Sequence, residues 1–109
     1  MDGRPQPPKP GTVAYLASVG GAPAEALKGF IDALYADQRL DPKTRELVFL
    51  GVQTALELEE SVRAHVPRAV AAGATRDEIV AAMMVAVANG GVNGALRFVP
   101  LVDELLKQR

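Results

Sequence analysis

The chain has 109 residues, with 12 basic and 13 acidic side chains interspersed along it, 5% aromatics and no cysteine. A balanced, intermixed charge without a basic stripe excludes the phosphate-neutralising surface of a nucleic-acid-binding protein, and the missing cysteine excludes a disulfide framework and a thiolate zinc site. No apolar run reaches the roughly 18 residues of a membrane span and the start lacks the apolar centre of a signal peptide, so a cytoplasmic protein is expected, with neither nucleic acid nor membrane as partner.

Residues 1–10, Met-Asp-Gly-Arg-Pro-Gln-Pro-Pro-Lys-Pro, carry four prolines and are expected to form a flexible, extended tail. A single helical domain is expected over 11–109. A first brief helix is expected from Thr12 to Ser18, ended by Gly20-Gly21. Pro23 opens a second through Leu34 and Tyr35, in which Ala26, Leu27, Phe30, Ile31 and Leu34 have the spacing of a buried stripe.

Asp41-Pro42, an N-cap followed by a proline at the first helical position, starts a third helix. Leu47, Val48, Phe49, Leu50 and Val52 then leave no polar face, so burial on all sides is expected, in the domain centre or against another subunit. Glu46 opens that apolar stretch. Polarity rises at Glu57–Glu60, where the third helix either ends or bends into a fourth, which contains Pro67, with an expected kink, and stops at Gly73.

Thr75-Arg76-Asp77-Glu78 has the form of a capping box. The fifth helix it starts runs through Ile79, Met83, Met84 and Val85 without a polar stripe, and Asn89-Gly90-Gly91 breaks it. A last helix from Val92 to Lys107 presents Leu96, Val99, Leu101, Val102, Leu105 and Leu106, with Pro100 expected to kink or divide it. The reading is therefore all-α, about six helices. Scarce aromatics and abundant Ala, Val and Leu require close approach of small-faced helices, and two all-round apolar helices in so short a chain point to a homo-oligomer.

His65 is the sole histidine. At about 100° per residue, Ser61 and Leu58 share its helical face, Arg63 points nearly opposite, and Glu60 lies beside that face at best. A lone histidine on a mostly apolar helix face is more often a satisfied structural residue than a catalyst, and Glu46 alone is an ordinary first-turn carboxylate favoured by the helix dipole. One histidine with scattered carboxylates has no metal-ligand spacing, so no metal is expected.

Leu40-Asp41-Pro42-Lys43-Thr44-Arg45-Glu46-Leu47-Val48, then Arg63-Ala64-His65, Ala71-Ala72-Gly73-Ala74-Thr75-Arg76-Asp77-Glu78-Ile79 and Gly90-Gly91 resemble, in order and spacing, the carboxymuconolactone decarboxylase and alkylhydroperoxidase D superfamily. The resemblance covers about residues 39 to 106 and implies an alkylhydroperoxidase D-like helical fold assembled as a trimer or hexamer. In the peroxidase branch a Cys-x-x-Cys pair falls where this chain has Leu58 and Ser61, the relay histidine falls on His65, its glutamate on Glu46, and a second histidine on Glu60. Without thiols, the family's disulfide relay has no nucleophile. The decarboxylase branch lacks the cysteines, is similar in having an arginine at the place of Arg63, and generally has an acidic residue where Ser61 stands.

The resemblance thus implies proton transfer on a small carboxylated lactone or related acid, with loss of carbon dioxide and without metal or organic cofactor. His65, Glu46 and Ser61 are the candidate catalytic residues, and Arg63 and Glu60 the candidate substrate-binding residues, with Arg97 a second source of positive charge. The other readings are a non-catalytic oligomeric scaffold that binds a ligand or a protein and, as a minor alternative, peroxidase-type activity using an external thiol. An enclosed cavity reached by His65, Glu46 and a cation favours the enzyme; a filled apolar site favours the scaffold.

Overall fold

The computed structural model describes residues 6–107, which form six helices and no strand: α1 (Val13–Val19), α2 (Gly21–Ala36), α3 (Pro42–Ala55), α4 (Glu59–Ala71), α5 (Arg76–Gly90) and α6 (Asn93–Lys107). The all-α, alkylhydroperoxidase D-like fold read from the sequence is the fold observed. Half of the Pro-rich tail, residues 1–5, lies outside the described residues, and residues 6–9 are irregular. No helix among the described residues is long and apolar enough to cross a membrane. The chain divides into two compact units, one ending at Gln38 and the other beginning at Arg39.

In the first unit Thr12 caps α1, its hydroxyl oxygen accepting from the Tyr15 N–H at 3.1 Å and donating to the Lys9 carbonyl at 2.7 Å. Gly21, at φ 73°, lets α2 follow α1 after a single residue, a turn that a side chain would strain. Ala24 is the only buried residue of α2. The stripe expected to be buried is not: Leu27 and Phe30 are exposed, and Ile31 and Leu34 are half-buried. Periodicity identifies an apolar face but does not supply the surface that covers it.

The second unit holds the core, in which Leu50, Val62, Val66, Ile79, Met83, Phe98 and Val102 are almost completely buried. Its helices begin and end where local chemistry dictates. The Asp41 carboxylate accepts the Thr44 N–H at 2.8 Å with Pro42 in the first turn, and that backbone hydrogen bond holds the Asp41 carboxyl below its usual range. The capping box at the start of α5 is complete: the Glu78 N–H donates to the Thr75 hydroxyl at 3.1 Å and the Thr75 N–H to Glu78 Oε1 at 2.9 Å. Glu78 also accepts from Lys43 at 2.9 Å, which ties α5 to α3 and depresses the Glu78 pKa.

Two helices end in the same paired hydrogen-bond pattern. After α4, the Gly73 N–H donates to the Val70 carbonyl and the Ala74 N–H to Ala69, around Gly73 at φ 101°. After α3, the Glu57 N–H donates to Thr54 and the Leu58 N–H to Gln53, around Glu57 at φ 56°. Helix three therefore ends in a tight turn before α4 rather than bending into it.

Both prolines sit inside unbroken helices. Pro100 does not divide α6. The carbonyls that lose a partner belong to Arg63 and Leu96, both exposed residues, so water can take the place of the missing N–H.

The expected all-round burial of α3 and α5 does not occur within the chain: Val48 and Val52 of α3 are 51% and 52% exposed, and Met84 and Val85 of α5 are 55% and 70% exposed. Leu96 is exposed as well, while Phe98, one turn from Val102, fills the core in its place. Close approach of small faces holds as expected. A Cβ on Gly90 would stand 2.6 Å from the Ala55 Cβ, and one on Gly94 would run into the Thr54 carbonyl oxygen.

Candidate functional site

Two hydrogen bonds fix the register of α3 against the start of α4. His65 Nδ1 lies 2.8 Å from Glu46 Oε1, and the Leu58 N–H donates to the Gln53 carbonyl at 2.9 Å. Seven residues separate the two anchors on each helix, so the pair is antiparallel and in step over that distance. Two turns of α-helix return a side chain to nearly its starting face, which puts Glu46 and Gln53 on one face of α3. Ser61 and His65, one turn apart, share a face of α4, and the Glu46–His65 contact shows that these two faces meet.

Glu46 is 3% exposed and the His65 side chain 14%. An ionised carboxylate only accepts, so opposite such a carboxylate Nδ1 is the nitrogen that donates. The Phe49 ring, one turn after Glu46, lies 5.0 Å from the imidazole between ring centroids, tilted by 59°. The imidazole is thus held by a carboxyl on one edge and by an aromatic ring beside it.

Of the five residues singled out by sequence, His65 and Glu46 are brought into contact, and Ser61 is half-buried one turn before His65 on the same helix. Glu60 is exposed in the first turn of α4. Arg63 lies elsewhere, its Nε donating to Glu59 at 2.9 Å. Arg97 reaches the same Glu59 at 3.0 Å and Glu57 at 3.4 Å, and the Arg63 hydrogen bond holds the Glu59 carboxyl below its usual range. Glu59, Arg63 and Arg97 border a groove of about 520 Å³ between α4 and α6. A second groove, of about 470 Å³ and largely apolar, runs between α3 and α5 along Val48, Val52 and Val85. His65 lines neither.

Leu58 is also displaced from its expected role. It is the N-cap of α4, at φ −93° and ψ 82°, so it stands at the margin of the Ser61–His65 face rather than within it. Among the described residues no group of three His, Cys, Asp or Glu side chains is placed to hold a metal ion.

Sequence reasoning missed Gln53 and Thr54, polar residues that are 8% and 1% exposed near the end of α3. The Gln53 Oε1 and Thr54 Oγ1 atoms are buried without a hydrogen-bond partner. The signal for Gln53 was available: it follows Glu46 by two helical turns in a run otherwise rich in apolar residues.

No curated protein and no solved structure matches the chain. The family model of the carboxymuconolactone decarboxylase family does, over residues 22–104, a span that includes every helix bearing the Glu46–His65 pair and most of α6. With three quarters of its length matched and its histidine and glutamate joined in the register that the resemblance implied, the chain belongs to the carboxymuconolactone decarboxylase family, as a member without cysteine.

Proposed function

We propose that the protein is a cofactor-independent acid–base enzyme acting on a small carboxylated lactone or related acid, with His65 as the proton-transfer group. The observation that carries this reading is the 2.8 Å contact between His65 Nδ1 and the buried Glu46 carboxyl. Glu46 fixes the tautomer and the ring orientation, and Nε2 is the working nitrogen. When carbon dioxide leaves the substrate, the electron pair of the broken C–C bond passes to the lactone as an enolate. Protonated His65 delivers a proton to carbon from Nε2, and a proton from solvent restores the imidazolium for the next cycle.

Ser61 donates a hydrogen bond to the substrate carbonyl, and Glu60 borders the entrance. The substrate carboxylate needs a cation, and within one chain Arg63 and Arg97 border the groove between α4 and α6, which His65 does not line. Arg63 or Arg97 of a neighbouring subunit supplies it, in a cytoplasmic trimer or hexamer assembled through the exposed apolar faces of α3 and α5. Without a thiol the protein does not reduce peroxides by the disulfide relay of its cysteine-bearing relatives.

The second reading, a non-catalytic oligomeric scaffold, is favoured by one observation, that His65 lines neither groove. Replacing His65 with Gln separates the two. For the enzyme, turnover of a confirmed substrate falls at least about 100-fold while the oligomer is unchanged. Unchanged turnover in His65→Gln would rule the acid–base reading out.

A further inference from the structure

We infer that Gln53 is a substrate-recognising residue of the His65 face, its side-chain carbonyl accepting a hydrogen bond from a hydroxyl donor on the bound acid; this deepens, and rests on, the acid–base reading above. Three observations converge on it. Gln53 is 92% buried by its 8% exposure, and its Oε1 has no hydrogen-bond partner. A buried acceptor left without a donor is costly, and such groups persist where something outside the resting structure uses them.

The second observation is register. Glu46 and Gln53 lie on one face of α3, Ser61 and His65 on one face of α4, and the two anchors at Glu46–His65 and Gln53–Leu58 are in step. Helical side chains lean toward the N-terminus of their own helix. On antiparallel helices Gln53, level with Leu58, therefore leans toward the level of Ser61, and Ser61 leans toward the level of Gln53, which brings the two side chains toward each other along the seam. Glu46, His65, Ser61 and Gln53 form one polar row.

The third is complementarity of roles. Within that row His65 moves a proton, Glu46 orients it and Ser61 donates to a carbonyl, so an acceptor for a substrate hydroxyl is the function not otherwise filled. A site that hydrogen-bonds a substrate hydroxyl rejects the analogue lacking it far more strongly than an apolar pocket rejects a size change, because the protein group is then left unpaired.

Two properties test this, because His65 is the only histidine and its ring signals in a magnetic-resonance spectrum are unambiguous. The probes are a γ-lactone bearing a carboxylate and a hydroxyl, and its O-methyl ether, titrated into the full chain. In the wild type both probes move the His65 ring signals, and the hydroxyl probe binds at least about tenfold tighter than the ether. In Gln53→Met, which keeps side-chain volume, the preference falls to about unity and the ether binds as before. The same variant melts at an equal or higher temperature than the wild type, since removing an orphaned buried polar atom relieves a cost; a merely structural glutamine predicts a lower melting temperature and an unchanged preference.

A retained hydroxyl preference in Gln53→Met, or no movement of the His65 signals with either probe, overturns the assignment of Gln53. A retained preference bears on Gln53 alone, whereas silence of the His65 signals with both probes also counts against lactones as the substrate class; the acid–base role of His65 itself stands or falls on the turnover of His65→Gln.

Discussion

Helix α3 has two sides built on opposite principles. Toward α4 it buries a carboxyl, a glutamine and a histidine contact, with Oε1 of Gln53 unpartnered and a non-glycine residue in the left-handed region at its end. Toward α5 and the start of α6 it presents Gly51, Thr54 and Ala55 in close approach to Ala82 and Gly90 of α5 and Gly94 of α6, with exposed valines along the rim. The second side is what packing alone would select. The first collects most of the features that cost free energy, the unpartnered Thr54 Oγ1 beside Gly94 on the second side being the exception, and such a concentration is what a functional face kept at the expense of stability predicts.

The contrast is broken most directly at the Glu46–His65 pair. His65→Leu leaves the Glu46 carboxyl buried without its partner and is expected to cost about 3 kcal/mol in urea unfolding. Glu46→Met combined with His65→Leu replaces both by apolar groups of similar volume and is expected to recover the wild-type stability to within about 1 kcal/mol. A double variant as unstable as either single change would mean that the pair itself stabilises the fold, and that the polar side of α3 is not a site bought at the expense of stability.

The packed side is probed at Gly94. A Cβ there meets the Thr54 carbonyl, which is backbone and cannot rotate away, so Gly94→Ala should destabilise by about 2 kcal/mol through displacement of α6 from α3. The effect on the His65 ring signals should be small, because Gly94 acts on the other side of α3. Large movement of those signals with little loss of stability would show that the two sides are not separable.

How much of this was legible from sequence divides along the same line. The Asp41-Pro42 start and the Thr75–Glu78 box are interactions within four residues, so their signatures are complete in the sequence and the structure reproduces them. The pairing of His65 with Glu46 spans two helices and was accessible only through the family register, since periodicity places each residue on a face without saying which faces meet. Val48, Val52, Met84 and Val85, expected to be buried in the domain centre or against another subunit, are not covered by the chain itself, for a related reason: an apolar residue announces that it favours burial, and what covers it is a tertiary or quaternary fact. Gln53 was overlooked because it reads as an ordinary polar position until its burial and its missing partner are known.

The finest test of the comparison lies at Glu57, where the polar side of α3 ends. The turns after α3 and α4 have the same hydrogen-bond pattern, yet the left-handed residue is Gly73 in one and Glu57 in the other. A side chain at positive φ costs on the order of 1 kcal/mol relative to glycine, offset in part by glycine's greater freedom in the unfolded chain. Glu57 also reaches Arg97 at 3.4 Å, an exposed contact worth little. Glu57→Ala removes that contact and keeps the backbone cost, whereas Glu57→Gly removes both, so their difference isolates the backbone: Glu57→Gly should unfold about 0.5 to 1 kcal/mol later than Glu57→Ala. Gly73→Ala should show the same difference with the opposite sign relative to wild type. If Glu57→Gly and Glu57→Ala unfold together, the turn carries no backbone cost, and the unpartnered Gln53 Oε1 and the buried Glu46–His65 pair remain as the features that set this side of α3 apart from its packed side.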